Sequence, residues 1–133
     1  MRLTDRLTLN PTVSPDGMLV ACFYREDQPN APFKLGIIPF AGGDPVKVLD
    51  IPHSVHGPSG LRWTPDGRAL TFVDTINGVS NIWSLPLDGG KAVQLTDFKT
   101  DQIFWFDFSR DGRQLALSRG TQTSDVILIR DFR

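Results

Sequence analysis

Two histidines, His53 and His56, stand at a spacing that would let them share one metal ion. Two imidazoles need at least one further ligand to make a stable zinc site, and the surrounding pattern supplies none. Both lie between Pro52 and Pro58, in a stretch with the composition of a loop. We therefore interpret them as surface residues and predict no metal site.

The remaining candidates for catalysis lack the neighbours that would activate them. Cys22 is the one cysteine, so it cannot form an internal disulfide, and its apolar neighbours predict a buried thiol. Ser118 and Ser124 stand outside any G-x-S-x-G pattern, and the glycine pairs at 42–43 and 89–90 precede neither a helix signal nor Lys-Ser/Thr. We predict that the chain is not an enzyme and holds no cofactor.

Charge and composition exclude several classes of partner. The 133 residues carry 14 Lys and Arg against 15 Asp and Glu, without a basic stripe, so we expect no nucleic acid partner. No apolar run approaches the roughly 18 residues that a membrane helix needs, so we expect no membrane segment in this chain. The 12 Gly and 10 Pro indicate many turns, and no stretch has clean helical periodicity. This composition predicts an all-β protein.

One four-residue turn motif occurs three times in the sequence. Ser-Pro-Asp-Gly ends at Gly17, Thr-Pro-Asp-Gly at Gly67 and Ser-Arg-Asp-Gly at Gly112, so the turn recurs after 50 and then 45 residues. Pro presets φ at the first central position, Asp can accept hydrogen bonds from nearby N–H groups, and Gly takes the positive φ that closes a hairpin. A period of about 45 residues is typical of propeller blades.

Two apolar strands follow each turn. The first strand is predicted at residues 18–24, 69–73 and 114–118, and the second at 35–40, 82–87 and 126–129. These strands are apolar at nearly every position, whereas a sheet with one wet face would alternate. Both faces of each sheet must therefore be covered, as they are when the small sheets of a propeller stack on one another.

The second copy carries the clearest resemblance to a known family. Its segments NIWSLPLDGG (81–90) and QLTD (94–97), with the Ser/Thr-Pro-Asp-Gly turn before them, resemble the TolB-like repeat, a relative of the WD-repeat propellers. The resemblance covers the chain as one unit, residues 1–133, and implies three four-stranded antiparallel blades, at about 11–50, 59–97 and 104–130. The ending SDVILIRDFR (124–133) also resembles the propellers that follow the kinase domain in some bacterial serine/threonine kinases.

Three blades are too few for a closed ring, which takes about four to eight. The third blade lacks an outer strand, and residues 1–5 contain RLTD, which matches the outer-strand segment QLTD of the second blade. An open arc would expose an apolar sheet face at each end. We expect two copies to form a six-bladed homodimer in which residues 1–5 of each copy complete the third blade of the other. The alternative is a fragment of a longer propeller, and both can hold.

Polar residues on the innermost strands form the candidate site. Thr12, Arg62 and Asp107 occupy equivalent positions, alternate with apolar residues along their strands, and are joined by Trp105, which begins at a loop. Because neighbours along a strand point to opposite faces, these side chains are expected at the channel or its mouth, where they would bind a ligand. The alternative is that they only solvate the channel wall.

The resemblance implies a non-enzymatic interaction or sensor module within a larger protein such as a bacterial serine/threonine kinase, with a protein or small ligand bound at the channel mouth. In that context the module would lie outside the cytoplasm, in the periplasm, although the sequence alone leaves localisation open. An alternative is a propeller that gates a prolyl-oligopeptidase-type peptidase. Since one fold supports many functions, these expectations rest on analogy.

Overall fold

The computed structural model describes residues 4, 7–28, 30–52, 55 and 60–125. These residues form ten β-strands and contain no helix, so the all-β prediction is confirmed for this part of the chain. The strands make three antiparallel sheets of four, four and two strands. Within the same ranges, nothing forms a helix long and apolar enough to cross a membrane.

The first sheet contains four strands paired in chain order. They are β1 (Leu7–Val13), β2 (Leu19–Arg25), β3 (Lys34–Pro39) and β4 (Lys47–Asp50). Five successive residues of β2, from Val20 to Tyr24, are buried. A continuous buried run needs cover on both faces of the strand, as the apolar sequence predicts.

The second sheet repeats this order. Its strands are β5 (Leu61–Trp63), β6 (Ala69–Ile76), β7 (Val79–Pro86) and β8 (Val93–Gln94). Asn77 and Gly78 connect β6 to β7 with φ of 51° and 78°. Positive φ at both positions fits the type I′ turn, whose twist matches that of the flanking strands.

The third sheet contains β9 (Gln102–Phe108) and β10 (Leu115–Gly120). Its further predicted strands, at 126–129 and 1–5, lie outside the described residues. Along β10, half-buried Leu115 and Leu117 alternate with exposed Ala116 and Ser118. In the described part of the chain a sheet packs against one face of β10 only, so the cover predicted for its other face stays a prediction that depends on a further sheet.

The second sheet lies between the other two. On one face its Phe72 belongs to a buried cluster with Phe23 of the first sheet. On the other face its Ile82 belongs to a second cluster with Phe106 of the third sheet. Fully burying a side chain of this size stabilises the fold by about 1.5–3 kcal/mol, so these two clusters hold the stack together.

The two ends of the stack differ from each other. Trp105, on the outward side of the third sheet, is 55% exposed. Val13, Val20 and Ile38 share the outward face of the first sheet, where Val13 is 50% exposed but Val20 and Ile38 are buried. An exposed face is thus found at the third sheet, where Trp105 shares it with Asp107, Ala116 and Ser118, and only at the margin of the first.

The three Asp-Gly turns share one hydrogen-bond pattern. In the second turn, Asp66 Oδ1 accepts from the Thr64 hydroxyl at 2.6 Å and from the Arg68 amide at 3.0 Å. The Thr64 hydroxyl in turn accepts from the Ala69 amide at 3.0 Å, and Gly67 takes φ of 70°. The same bonds recur around Asp16 and Asp111. The predicted role of the aspartates is confirmed, and the hydroxyl that opens each turn belongs to the same network.

Candidate functional site

Arg62 is positioned by β5, an edge strand of the second sheet. Its neighbours Leu61 and Trp63 are buried against the first sheet, so alternation along β5 sends Arg62 to the other face. The Arg62 carbonyl accepts a hydrogen bond from the hydroxyl of fully buried Thr71 at 3.1 Å, which anchors the backbone there. The short strand β5 therefore presents one cationic side chain toward β9.

The structure brings Arg62, Trp105 and Asp107 together. The Arg62 guanidinium carbon lies 4.3 Å from the centroid of the Trp105 ring. Arg62 Nε is 3.8 Å from Asp107 Oδ1, and Nη1 donates to the Leu61 carbonyl at 2.9 Å. Three of the four residues predicted from sequence thus meet in one cluster, which we call the mouth cluster: Arg62, Trp105 and Asp107.

The interactions within the mouth cluster are weak enough to be exchanged. The Arg62 side chain is 22% exposed and that of Asp107 is 65% exposed. An exposed ion pair contributes about 0–1 kcal/mol, and an exposed cation–π contact about 0.5–1 kcal/mol. Asp107 Oδ1 also accepts from the Phe108 amide at 2.9 Å, so the carboxylate does not depend on Arg62 for a partner. Another anion could replace Asp107 beside Arg62 at little cost.

Thr12 takes a different role from the other three. Its backbone carbonyl accepts a hydrogen bond from the indole Nε1 of Trp63 at 3.0 Å, which links the innermost strands of the first two sheets. The described contacts do not join its side chain to the mouth cluster. Thr12 therefore contributes to the junction between sheets through its main chain.

The other chemically suggestive residues are structural or fall outside the described ranges. His53 and His56 lie outside the described residues. Cys22 is buried, and burial raises the pKa of its thiol to about 11. In the described ranges, no three His, Cys, Asp or Glu side chains are grouped to hold a metal ion.

The sequence analysis did not predict a hydrogen-bond network centred on Asn81, which we call the bracket and which joins Asn81, Ile82, Thr96 and Phe98. Asn81 Oδ1 accepts from the Phe98 amide at 2.7 Å and from the Thr96 hydroxyl at 3.0 Å, and that hydroxyl accepts from the Ile82 amide at 2.9 Å. Asn81 Nδ2 also donates to the Phe98 carbonyl. Arg119 covers the Phe98 ring, with its guanidinium carbon 3.6 Å from the centroid. This bracket fixes the segment that leads from the second sheet to β9 and so to the mouth cluster.

Asp74 is a second polar residue to which the sequence analysis gave no role. It is buried on β6 opposite Asn81, and in the described structure its Oδ1 has no hydrogen-bond partner. A buried polar atom without a partner costs stability. A single aspartate within an apolar strand carries no local sequence signal that distinguishes it from a solvent-facing one.

Three stacked antiparallel sheets define an all-β repeat protein; in each, an Asp-Gly turn joins the first two strands, and a polar cluster lies on the edge strands β5 and β9. A solved structure provisionally assigned as TolB, from Agrobacterium tumefaciens, matches with a TM-score of 0.61 and 26% identity, over 81% of this chain and 36% of that chain. The uncharacterised protein Atu1656 of Agrobacterium fabrum (strain C58) is 31% identical over 104 residues, which are 76% of this chain and 32% of that protein. No family model matches the chain.

This chain therefore spans about a third of the length of both similar proteins. The structural similarity supports the TolB-like resemblance at the level of the fold. The resemblance to kinase-linked propellers stays a prediction.

Proposed function

We propose that this chain forms half of a six-bladed, TolB-like β-propeller and acts as a non-enzymatic binding module. The regular spacing of the turns, the stacking of three antiparallel sheets and the TolB-like structural neighbour support the propeller. The hydroxyl-carboxylate pairs that could suggest catalysis recur in all three turns, each tied to two backbone amides. This threefold repetition favours a structural role for them.

Two copies of the chain would complete the ring. The outward face of the third sheet is exposed at Ala116 and Ser118, as expected where a further sheet would pack. The match covers 32% and 36% of the two similar proteins, which are thus long enough to hold more than three such sheets. A second copy brings the number of blades to six, within the range of about four to eight that closed propellers use.

The mouth cluster would supply the binding site, and the stacking of Arg62 on Trp105 is the observation that carries this proposal. A guanidinium placed over an aromatic ring can still donate from its edge to carboxylate or phosphate oxygens. In Arg62, Nη1 is bonded to the Leu61 carbonyl and Nε faces Asp107, whose place an incoming anion would take. The exposed rings of Trp105 and neighbouring Phe104 add apolar surface beside the charge. The site fits a protein segment that carries a carboxylate next to an apolar side chain.

A pair of small peptides tests this proposal. Acetyl-Glu-Phe-amide and the matched acetyl-Gln-Phe-amide are titrated into the protein while the indole N–H signal of Trp105 is followed by NMR. We expect the Glu peptide to shift this signal and the Gln peptide to shift it much less. Arg62→Gln should abolish the difference, whereas Arg68→Gln, on the exposed second turn, should keep it.

Asp107→Asn adds a signed prediction to the same experiment. Because Asp107 competes with the ligand for Arg62, its neutralisation should tighten binding of the Glu peptide by up to about fivefold, the equivalent of an exposed ion pair. Equal shifts with both peptides, or a shift that survives Arg62→Gln, would contradict a carboxylate site in the mouth cluster.

A further inference from the structure

Successive Asp-Gly turns touch through one repeated contact. A methyl group at Gly67 would lie 3.6 Å from Pro15 Cδ, and a methyl group at Gly112 would lie 3.1 Å from Pro65 Cγ. The proline of each turn therefore packs against the glycine of the next turn along the stack. Among the described residues, nothing comes within 4 Å of the equivalent position on Gly17, in the first of the three turns.

A small cleft accompanies each of these contacts. The first cleft, of about 140 Å³, is lined by Pro15 from one turn and by Trp63 and Asp66 from the next sheet. The second cleft, of about 330 Å³, is lined by Pro65, Phe108 and Asp111 in the same arrangement. In both junctions the proline of one turn thus lines a cleft together with the aspartate of the following turn. The apolar side chain three residues before that aspartate, Trp63 or Phe108, completes the lining.

The two ends of this row of turns are chemically complementary. At the third turn the proline is replaced by Arg110, an exposed cation. At the first turn the cleft-lining set is represented by Asp16 and by Val13, which is 50% exposed. Bonds from the Ser14 hydroxyl and the Met18 amide lower the pKa of Asp16, so its carboxylate is ionised at neutral pH. A cation at one end of the row therefore matches an anion at the other.

We infer that the third turn of one copy docks on the first turn of a second copy, with Arg110 beside Asp16 and Val13 closing the cleft. The inference rests on the proposed two-copy ring and adds the residues that join its halves. Two-fold symmetry makes the junction twice, once in each direction, and so leaves no turn unpaired. A second copy fits because the contact inside the chain is always turn on turn, and the free first turn carries the carboxylate that Arg110 requires.

A cysteine crosslink between two differently tagged chains tests the junction. Gly17→Cys protein is mixed with Arg110→Cys protein under mild oxidation, so that a disulfide between the two tags can form only between copies. We expect this hetero-crosslink to dominate. Cys22 does not interfere, because it is buried and its thiol pKa is raised to about 11.

Two further cysteine pairs serve as the positive and the negative control for the crosslink. The double variant Pro65→Cys with Gly112→Cys should crosslink within one chain, since Pro65 Cβ lies 3.2 Å from a methyl group at Gly112 and disulfides need a short Cβ separation. Gly43→Cys mixed with Arg110→Cys should not crosslink. Gly43 matches Gly17 in having positive φ and open space, but it lies in the connection from β3 to β4.

Measuring the self-association of single variants tests the junction even if Gly17→Cys fails to fold. Val13→Asp buries a carboxylate in the proposed junction and should weaken self-association by about tenfold or more. Arg110→Glu should act in the same direction. Val46→Asp replaces a valine before β4 that is 63% exposed, compared with 50% for Val13, and should leave self-association unchanged.

The outcomes separate the junction from the ring. A dimer that shows no hetero-crosslink and is unaffected by Val13→Asp overturns the junction while leaving a two-copy ring of other geometry. A protein that stays monomeric overturns the proposed ring and the junction with it. The hetero-crosslink together with selective loss of dimer in Val13→Asp supports both.

Discussion

The carboxylate of Asp66 illustrates how one residue stabilises a turn that the fold uses three times. It accepts hydrogen bonds from the Thr64 hydroxyl and the Arg68 amide, and these bonds, the hydroxyl first, lower its pKa below the usual 3.8. A carboxyl group with a lowered pKa in the folded protein stabilises it at pH values above the unfolded pKa. That contribution is lost as pH falls through the folded pKa.

Asp66→Asn should therefore lower the melting temperature by a few degrees at pH 7, and by progressively less as pH falls below 3.8. Melting curves followed by circular dichroism between pH 7 and pH 2 check this. Asp44→Asn, at an exposed carboxylate in the connection before β4, is the matched control and should behave like the wild type throughout. A loss in Asp66→Asn that stays constant down to pH 2 would argue against the charged turn network.

Single residues differed in how far the sequence could predict their roles. The Asp-Gly turns were enough to predict the strands β5 and β9 that carry Arg62 and Asp107, and strand alternation predicted their faces, because both rules are local. The stacking of Arg62 on Trp105 joins residues 43 positions apart, and such a contact depends on how two sheets pack. Thr12 occupies the equivalent position, yet its side chain is not joined to the cluster by any described contact.

Among the structural elements, the segment between β8 and β9 depends on a bracket rather than on strand pairing. Asn81 bonds to Thr96 and to both backbone groups of Phe98. Hydrogen bonds of this kind contribute about 0.5–1.5 kcal/mol each, and a buried donor left without a partner costs more. The bracket thus supports this connection to β9 together with the Ser80 amide, which donates to the Asp101 carbonyl at 3.0 Å, and Arg119, which donates to the Thr100 carbonyl at 2.7 Å.

Asn81→Ala should lower the free energy of unfolding by about 2 kcal/mol and expose the Phe98 amide to exchange. Asn81→Asp keeps the acceptor oxygen and should retain more of the protection at Phe98 while losing the donor to its carbonyl. Urea unfolding and residue-resolved hydrogen exchange measure the two effects. Phe98 protection that is the same in Asn81→Ala and in the wild type would rule out the bracket as the support of this segment.

Local sequence rules predicted the structural elements correctly where a turn is followed directly by an apolar run. The Asp-Gly turns and strands β2, β6 and β7 follow directly from such patterns. They served poorly where exposure depends on a neighbour, as at β10, whose outward face is exposed although it follows the same Asp-Gly turn as β6. Burial of a strand face is a property of the stack, and the sequence of one strand does not encode what lies beside it.

At the scale of the whole molecule, the order of the sheets leaves the third one with an open face. Wherever two sheets of the chain stack, their facing surfaces are buried. The row of Asp-Gly turns has Arg110 at one end and Gly17, with open space around it, at the other. Monomeric soluble proteins rarely expose large contiguous apolar patches. We propose that a second copy supplies the further sheet that packs on this open face.

The mass of the protein in solution tests the two-copy ring most directly. Size-exclusion chromatography with light scattering at micromolar concentration should give about twice the chain mass of 14.8 kDa, in a species that dissociates on dilution with a single transition. A mass of 14.8 kDa that persists as the concentration is raised would contradict the ring that the three sheets are proposed to share with a second copy.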